Sequence, residues 1–129
     1  MKTIKYIISL IAIIVISTSC VQEKHLKTMT FKVNMRGIDN VTNVGVRGQF
    51  TTPSWKTTYY LKDDDNDSIY EGTITREAAQ SGFAFKFVNQ DSVYELQDQK
   101  NRFLKLQYKP EHIVYEATFN NPDHKQTSL

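Results

Sequence analysis

Apolar and polar side chains alternate with a period of two along most of this chain. The segment TFKVNM sets Phe31, Val33 and Met35 on one face and Lys32, Asn34 and Arg36 on the other. In NVGVRGQF, Val44, Val46, Gly48 and Phe50 alternate with Gly45, Arg47 and Gln49. FAFKFV puts Phe83, Phe85 and Phe87 opposite Ala84, Lys86 and Val88, and RFLKLQY and HIVYEATF follow the same rule. A strand buried on one face produces this pattern, because successive side chains leave a pleated backbone on opposite sides. An amphipathic helix does not.

Turn-forming residues separate these runs: Gly37 to Asn40, an aspartate-rich stretch, Ser81-Gly82, Asn89 to Ser92, Gln97 to Asn101 and Lys109-Pro110. The spacing predicts seven or eight short strands packed as an antiparallel β-sandwich. TREAAQS, Thr75 to Ser81, is compatible with a short helical turn between strands. The C-terminal NNPDHKQTSL lacks apolar periodicity and is expected to be loose. There is no internal repeat and no low-complexity segment.

The first residues, MKTIKYIISLIAIIVISTSC, break the pattern. A basic start, an apolar run from Tyr6 to Ile16 and small residues before Cys20 have the order of a secretory signal peptide. The run is shorter than the roughly 20 residues of a membrane-spanning helix. Cys20 is the single cysteine of the chain. The segment resembles the lipobox of bacterial lipoproteins, with Ser17 where a larger aliphatic is usual. In that family the cysteine becomes the first residue and carries acyl chains. More than one chain, at ~0.8 kcal/mol per buried methylene, anchors stably. The alternative is an ordinary signal peptide with an incidental cysteine.

Charge changes the picture once the signal is removed. The chain has 16 Lys and Arg against 14 Asp and Glu, and Lys2 and Lys5 leave with the signal. The exported part is then formally neutral, which gives no electrostatic footprint for nucleic acid. About one hundred residues remain, enough for one core. With no second cysteine, no disulfide frames it.

The stretch LKDDDNDSIYEG carries Asp63, Asp65 and Asp67 at every second position, like the start of a calcium loop. With Asp63 as the first position, the turn glycine is replaced by Ser68 and the closing glutamate by Ile74. Aspartate and asparagine also favour turns, because their side chains bond nearby amides, so a hairpin turn is expected and no metal site. His25, His112 and His124 have no partner at metal-ligand spacing. There is no nucleophile elbow, phosphate loop or Cys–His pair, so no catalytic residue and no cofactor are expected. Two aromatics stand out instead. Trp55, the only tryptophan, lies in the polar segment TTPSWKTT, and Tyr94 lies in SVYELQDQKNR. Each is either a lid over the core or an exposed platform for the C–H face of a sugar ring.

In order, MTFKVNM, VGVRGQF with Trp55 beyond it, LKDDDNDSIYEGTI, FAFKFVN, YELQDQKNR and ATFNN resemble the carbohydrate-binding modules of families 20 and 48, which are starch- and glycogen-binding β-sandwiches. The similarity spans Thr28 to about Asn121. It implies that the aspartate run is a strand-connecting turn. It also implies that Trp55 and Tyr94 stack on sugar and that Lys86, Glu95 and Asn101 bond hydroxyls. The chain departs from the family where Tyr94 replaces a tryptophan, where ELQDQKNR is longer than usual, and where QFTTPSW lacks the small glycine-containing form.

The expectation is therefore an all-β protein, an antiparallel immunoglobulin-like β-sandwich of seven to eight strands. It comprises a signal peptide (residues 1–19), a lipidated tether (20–27), the sandwich (28–121) and a flexible tail (122–129). It would be a non-catalytic lipoprotein anchored in the bacterial cell envelope, at the outer membrane, through lipid on Cys20. The expected partner is a polysaccharide, an α-glucan first. The alternative is a structural or protein-interaction domain whose partners are other envelope proteins.

Overall fold

The period-two segments form strands. The computed structural model describes residues 22–129; Cys20 and the expected signal peptide lie outside the described residues. Among the described residues there is no helix. There are nine strands: β1 (His25–Asn34), β2 (Gly45–Gly48), β3 (Tyr59–Tyr60), β4 (Ile69–Ala78), β5 (Gly82–Asn89), β6 (Val93–Tyr94), β7 (Arg102–Lys105), β8 (Glu111–Thr118) and β9 (His124–Ser128). They build two sheets. One has the order β4-β1-β8-β9; the other runs β3-β2-β5, with β6 and β7 both paired to β5. β7 pairs with Gly82 to Phe85 and β6 with Val88 and Asn89, so an interrupted strand lies along β5.

The sheets pack face to face around one core. Met29, Phe31 and Val33 of β1 and Ile113 and Tyr115 of β8 meet Val46, Phe83, Phe85, Phe87 and Leu104 of the other sheet. Phe31 stacks on Phe50 at 5.2 Å and meets Phe85 edge-on at 5.1 Å, and Tyr115 meets Phe85 edge-on at 4.9 Å. Each buried ring contributes ~1.5–3 kcal/mol by burial, and each edge contact about 0.5–1.5 kcal/mol more. Gly48 is required where it stands: a Cβ there would lie 2.6 Å from both the Ala84 carbonyl oxygen and the Phe85 Cβ.

Five features differ from the expectations. There are nine strands rather than seven or eight, and β1 pairs with β8 in parallel. TREAAQS is no helical turn: its first residues, through Ala78, end β4. Residues 122–129 are not a loose tail, because β9 pairs with Ile113 to Ala117 of β8. Backbone groups make this pairing, so it needs no apolar side chains and leaves no hydropathy signal. The tether also ends early. β1 begins at His25, and Lys27 is 1% exposed.

Lys27 is buried because its ammonium caps the turn before β8. Its Nζ donates to the carbonyl oxygens of Gln107 and Lys109 and approaches Glu111 Oε1 at 3.3 Å. The preceding residues are held too, since Glu23 N donates to the Tyr108 hydroxyl at 2.8 Å and the His25 ring meets Tyr108 edge-on at 4.6 Å.

Candidate functional site

The aspartate run connects β3 to β4. Asp63 Oδ1 accepts from Asp67 N at 3.1 Å and Oδ2 from Ser68 N at 3.0 Å; Asp67 Oδ1 accepts from Ile69 N at 2.9 Å. Asn66 and Ser68 have φ of 56° and 69°, the left-handed conformation of tight turns. Carboxylate oxygens of Asp63, Asp65 and Asp67 lie within 4.8 Å of one another. A hydrogen bond with Asp67 holds the Asp65 carboxyl above its usual pKa, whereas the Ile69 amide holds Asp67 below. Asp63 thus serves backbone amides with both oxygens. Asp63→Ala is expected to cost about 1–2 kcal/mol in urea denaturation. The loss should be the same with and without a calcium chelator; a loss seen only without the chelator would assign Asp63 to a metal.

Trp55 and Tyr94 are neighbours. The loop after β2 is wound back by Gly48, whose carbonyl oxygen accepts from Thr51 Oγ1 at 2.9 Å and from Trp55 N at 3.0 Å. Trp55 itself has φ of 64°, which is uncommon for a residue with a bulky side chain. The turn sets the indole 6.4 Å from the Tyr94 ring, with the planes at 43°. The Tyr94 hydroxyl donates to the Trp55 carbonyl oxygen at 2.9 Å, fixing the loop to β6. Both rings are half-buried.

Arg47 completes this face, a role that the alternation of the sequence does not reveal. Its guanidinium lies over the Tyr94 ring at 5.9 Å, a cation–π contact. Its Nε donates to Thr58 Oγ1 at 2.6 Å, and Asp91 lies 3.8 Å from Nη2. Tyr60 donates to Asp91 at 2.6 Å, and this bond, first among several, lowers the Asp91 pKa. Alternation alone placed Arg47 on the outward face of β2; only the register, which pairs Arg47 with Lys86, shows that the two cations are adjacent.

Lys86 is half-buried on the outward face of β5, and its Nζ donates to the carbonyl oxygens of Leu96 at 2.9 Å and Gln99 at 3.2 Å. An ammonium has three donors, so one remains for a ligand. Glu95 does not stand beside it. Its side chain is 0% exposed, and its carboxylate accepts from Arg102 Nε at 2.6 Å, Arg102 Nη2 at 2.7 Å, Phe87 N at 2.8 Å and Asn120 N at 3.2 Å. The Glu95 carboxylate, bonded throughout inside the fold, is not the hydroxyl contact that the resemblance implies. The carboxylate occupies the gap between β6 and β7, where it satisfies a β5 amide in place of a strand. Asn101 is exposed just before β7 and lines a cleft to which Trp55, Lys86 and Tyr94 do not contribute.

No family model matches the chain, and no curated protein shows a significant match to it. The chemistry of the site follows from its geometry. The Trp55 main chain is bonded to the Tyr94 hydroxyl and to the turn at Gly48, and two cations lie on the same sheet face as the tilted ring pair. Such a surface can lay apolar ring faces against a flat ligand and offer N–H donors to its oxygens.

Proposed function

We propose that this chain is an exported lipoprotein of the bacterial cell envelope, at the outer membrane and anchored through acyl chains on Cys20, whose domain binds a polysaccharide without acting on it. An α-glucan is the first candidate. The immunoglobulin-like class of the sandwich belongs to the same proposal and rests on the resemblance to starch-binding modules together with the two packed sheets. The observation that carries the functional reading is the Trp55–Tyr94 pair, two aromatics distant in sequence and 6.4 Å apart on the face that holds Lys86. Trp55, Tyr94 and Lys86 form the binding set, with Arg47 added; Glu95 supports it from within, and Asn101 lies outside it.

Covering a sugar face with two half-buried rings contributes less than ~1.5–3 kcal/mol per ring, and association opposes it. The affinity expected is on the order of tens of micromolar to millimolar. In affinity electrophoresis through soluble starch or glycogen, the native chain should be retarded. Trp55→Ala should weaken retardation at least about tenfold, the equivalent of ~1.4 kcal/mol. A native chain that runs freely through every glucan tested would remove the reading.

A second reading is a structural or protein-interaction domain. It is favoured by the internal use of the Tyr94 hydroxyl and of two Lys86 donors, which serve the fold before any ligand. It predicts inert polysaccharides and a stable co-purifying envelope protein.

A further inference from the structure

We infer that the cleft between the Leu96–Asn101 loop, β7 and β9 accepts an oxyanion, carried on a small ligand as a carboxylate or a phosphate. The cleft lies on the open edge between the two sheets and has a volume of about 610 Å³, within the range of small-molecule sites. Gln126 ties β9 to the Lys105 backbone of β7, with Oε1 accepting at 3.1 Å and Nε2 donating at 2.7 Å.

Arg102 lines this cleft with its side chain 2% exposed. A guanidinium has five N–H donors in a fixed fork. Nε and Nη2 serve Glu95, and Nη2 also reaches the carbonyl oxygens of Asn121 at 2.7 Å and Thr118 at 3.2 Å. Nη1 has no partner among the described residues. The Tyr115 phenol comes close enough to the guanidinium to influence it, yet completes no bond to Nη1. Buried donors left unpaired are rare, because each forfeits its hydration, so an acceptor from outside is the natural complement.

Charge selects that acceptor. Glu95 already neutralises Arg102, which leaves Lys100 and Lys105 in the lining against Asp98. The excess is positive, and Asn101 and His124 add polar edges. The His124 ring is fixed in place by stacking on Tyr115 at 4.9 Å and 8°. An unpaired guanidinium edge in a lining that also carries two lysines suits an oxyanion, since arginine bonds its oxygens directionally and lysine supplies point charge. Trp55 and Tyr94 take no part, and Lys86 enters only by bonding the backbone of the Leu96–Asn101 loop, so the inference stands apart from the polysaccharide proposal.

The test follows the Arg102 side-chain nitrogen resonances of the full chain in detergent micelles during titration with glucuronate, inorganic phosphate and glucose. Glucuronate should shift Nη1 and saturate below about 20 mM, the range of a millimolar Kd. A parallel shift with phosphate extends the site to both oxyanions; no shift with phosphate confines it to carboxylates. Lys100→Gln with Lys105→Gln should weaken binding about tenfold without altering the melting temperature, and added salt should weaken the native chain likewise. Trp55→Ala should leave the Nη1 shift intact, which separates this outcome from that of the glucan experiment. Equal shifts with glucose would overturn the selection by charge. No shift with any of the three would overturn the site and leave Nη1 to water.

Discussion

Glu95→Ala is expected to remove about 3–5 kcal/mol of unfolding free energy, because deleting one partner strands the other charge in the interior. Arg102 would remain with its side chain 2% exposed and without its counter-ion, stacked over Phe87 at 5.4 Å. The Phe87 and Asn120 amides would lose their acceptor as well. Urea denaturation followed by Trp55 fluorescence measures the loss. The double replacement Glu95→Leu with Arg102→Met tests the cause. In many buried ion pairs, apolar substitution of both partners is neutral or stabilising. Here recovery should be partial, because the two amides stay unsatisfied whatever happens to the guanidinium. Full recovery would show that the pair acts only as mutual neutralisation. A single-mutant loss below ~1 kcal/mol would show that water reaches the gap.

Lys27→Met should destabilise by about 3 kcal/mol, a fall of roughly 10–20 °C in melting temperature for a domain of this size. Methionine keeps the length of the stem and its packing but supplies no donor. Glu111, its side chain 3% exposed, would lose its cation, and the Gln107 and Lys109 carbonyl oxygens would lose their cap. The turn between β7 and β8 should then open, so limited proteolysis near Lys109 should quicken in step with the fall in melting temperature. Lys27→Arg is the control. It restores charge in a larger, planar group and should recover part of the loss. A Lys27→Met protein that melts like the native one would place the ammonium in solvent and end the account.

Both residues show where local pattern fails. Lys27 follows a polar segment and precedes the first clear alternation, so nothing nearby marks it as interior. Its partners lie some eighty positions away. Glu95 sits in a run of polar residues, and the same run holds Asn101, which is exposed. Resemblance assigned both to one sugar site, but the longer ELQDQKNR segment carries Asn101 away to the cleft while Glu95 turns inward. Arg47, beside Tyr94, was readable as outward-facing and as nothing more.

The chain's own alternation determined the strands and their inner faces. Phe31, Val33, Phe83, Phe85, Phe87 and Val46 are all buried, as a period of two requires. The aspartate run was likewise legible as a turn, since its bonds form between residues no more than five positions apart. Such features depend on neighbours along the backbone. Tertiary structure alone decided the parallel pairing of β1 with β8, the recruitment of β9, the burial of Lys27, Glu95 and Arg102, and the meeting of Trp55 with Tyr94. In each, the free energy comes from hydrogen bonds or contacts between segments remote in sequence, and no local period records which remote group will arrive.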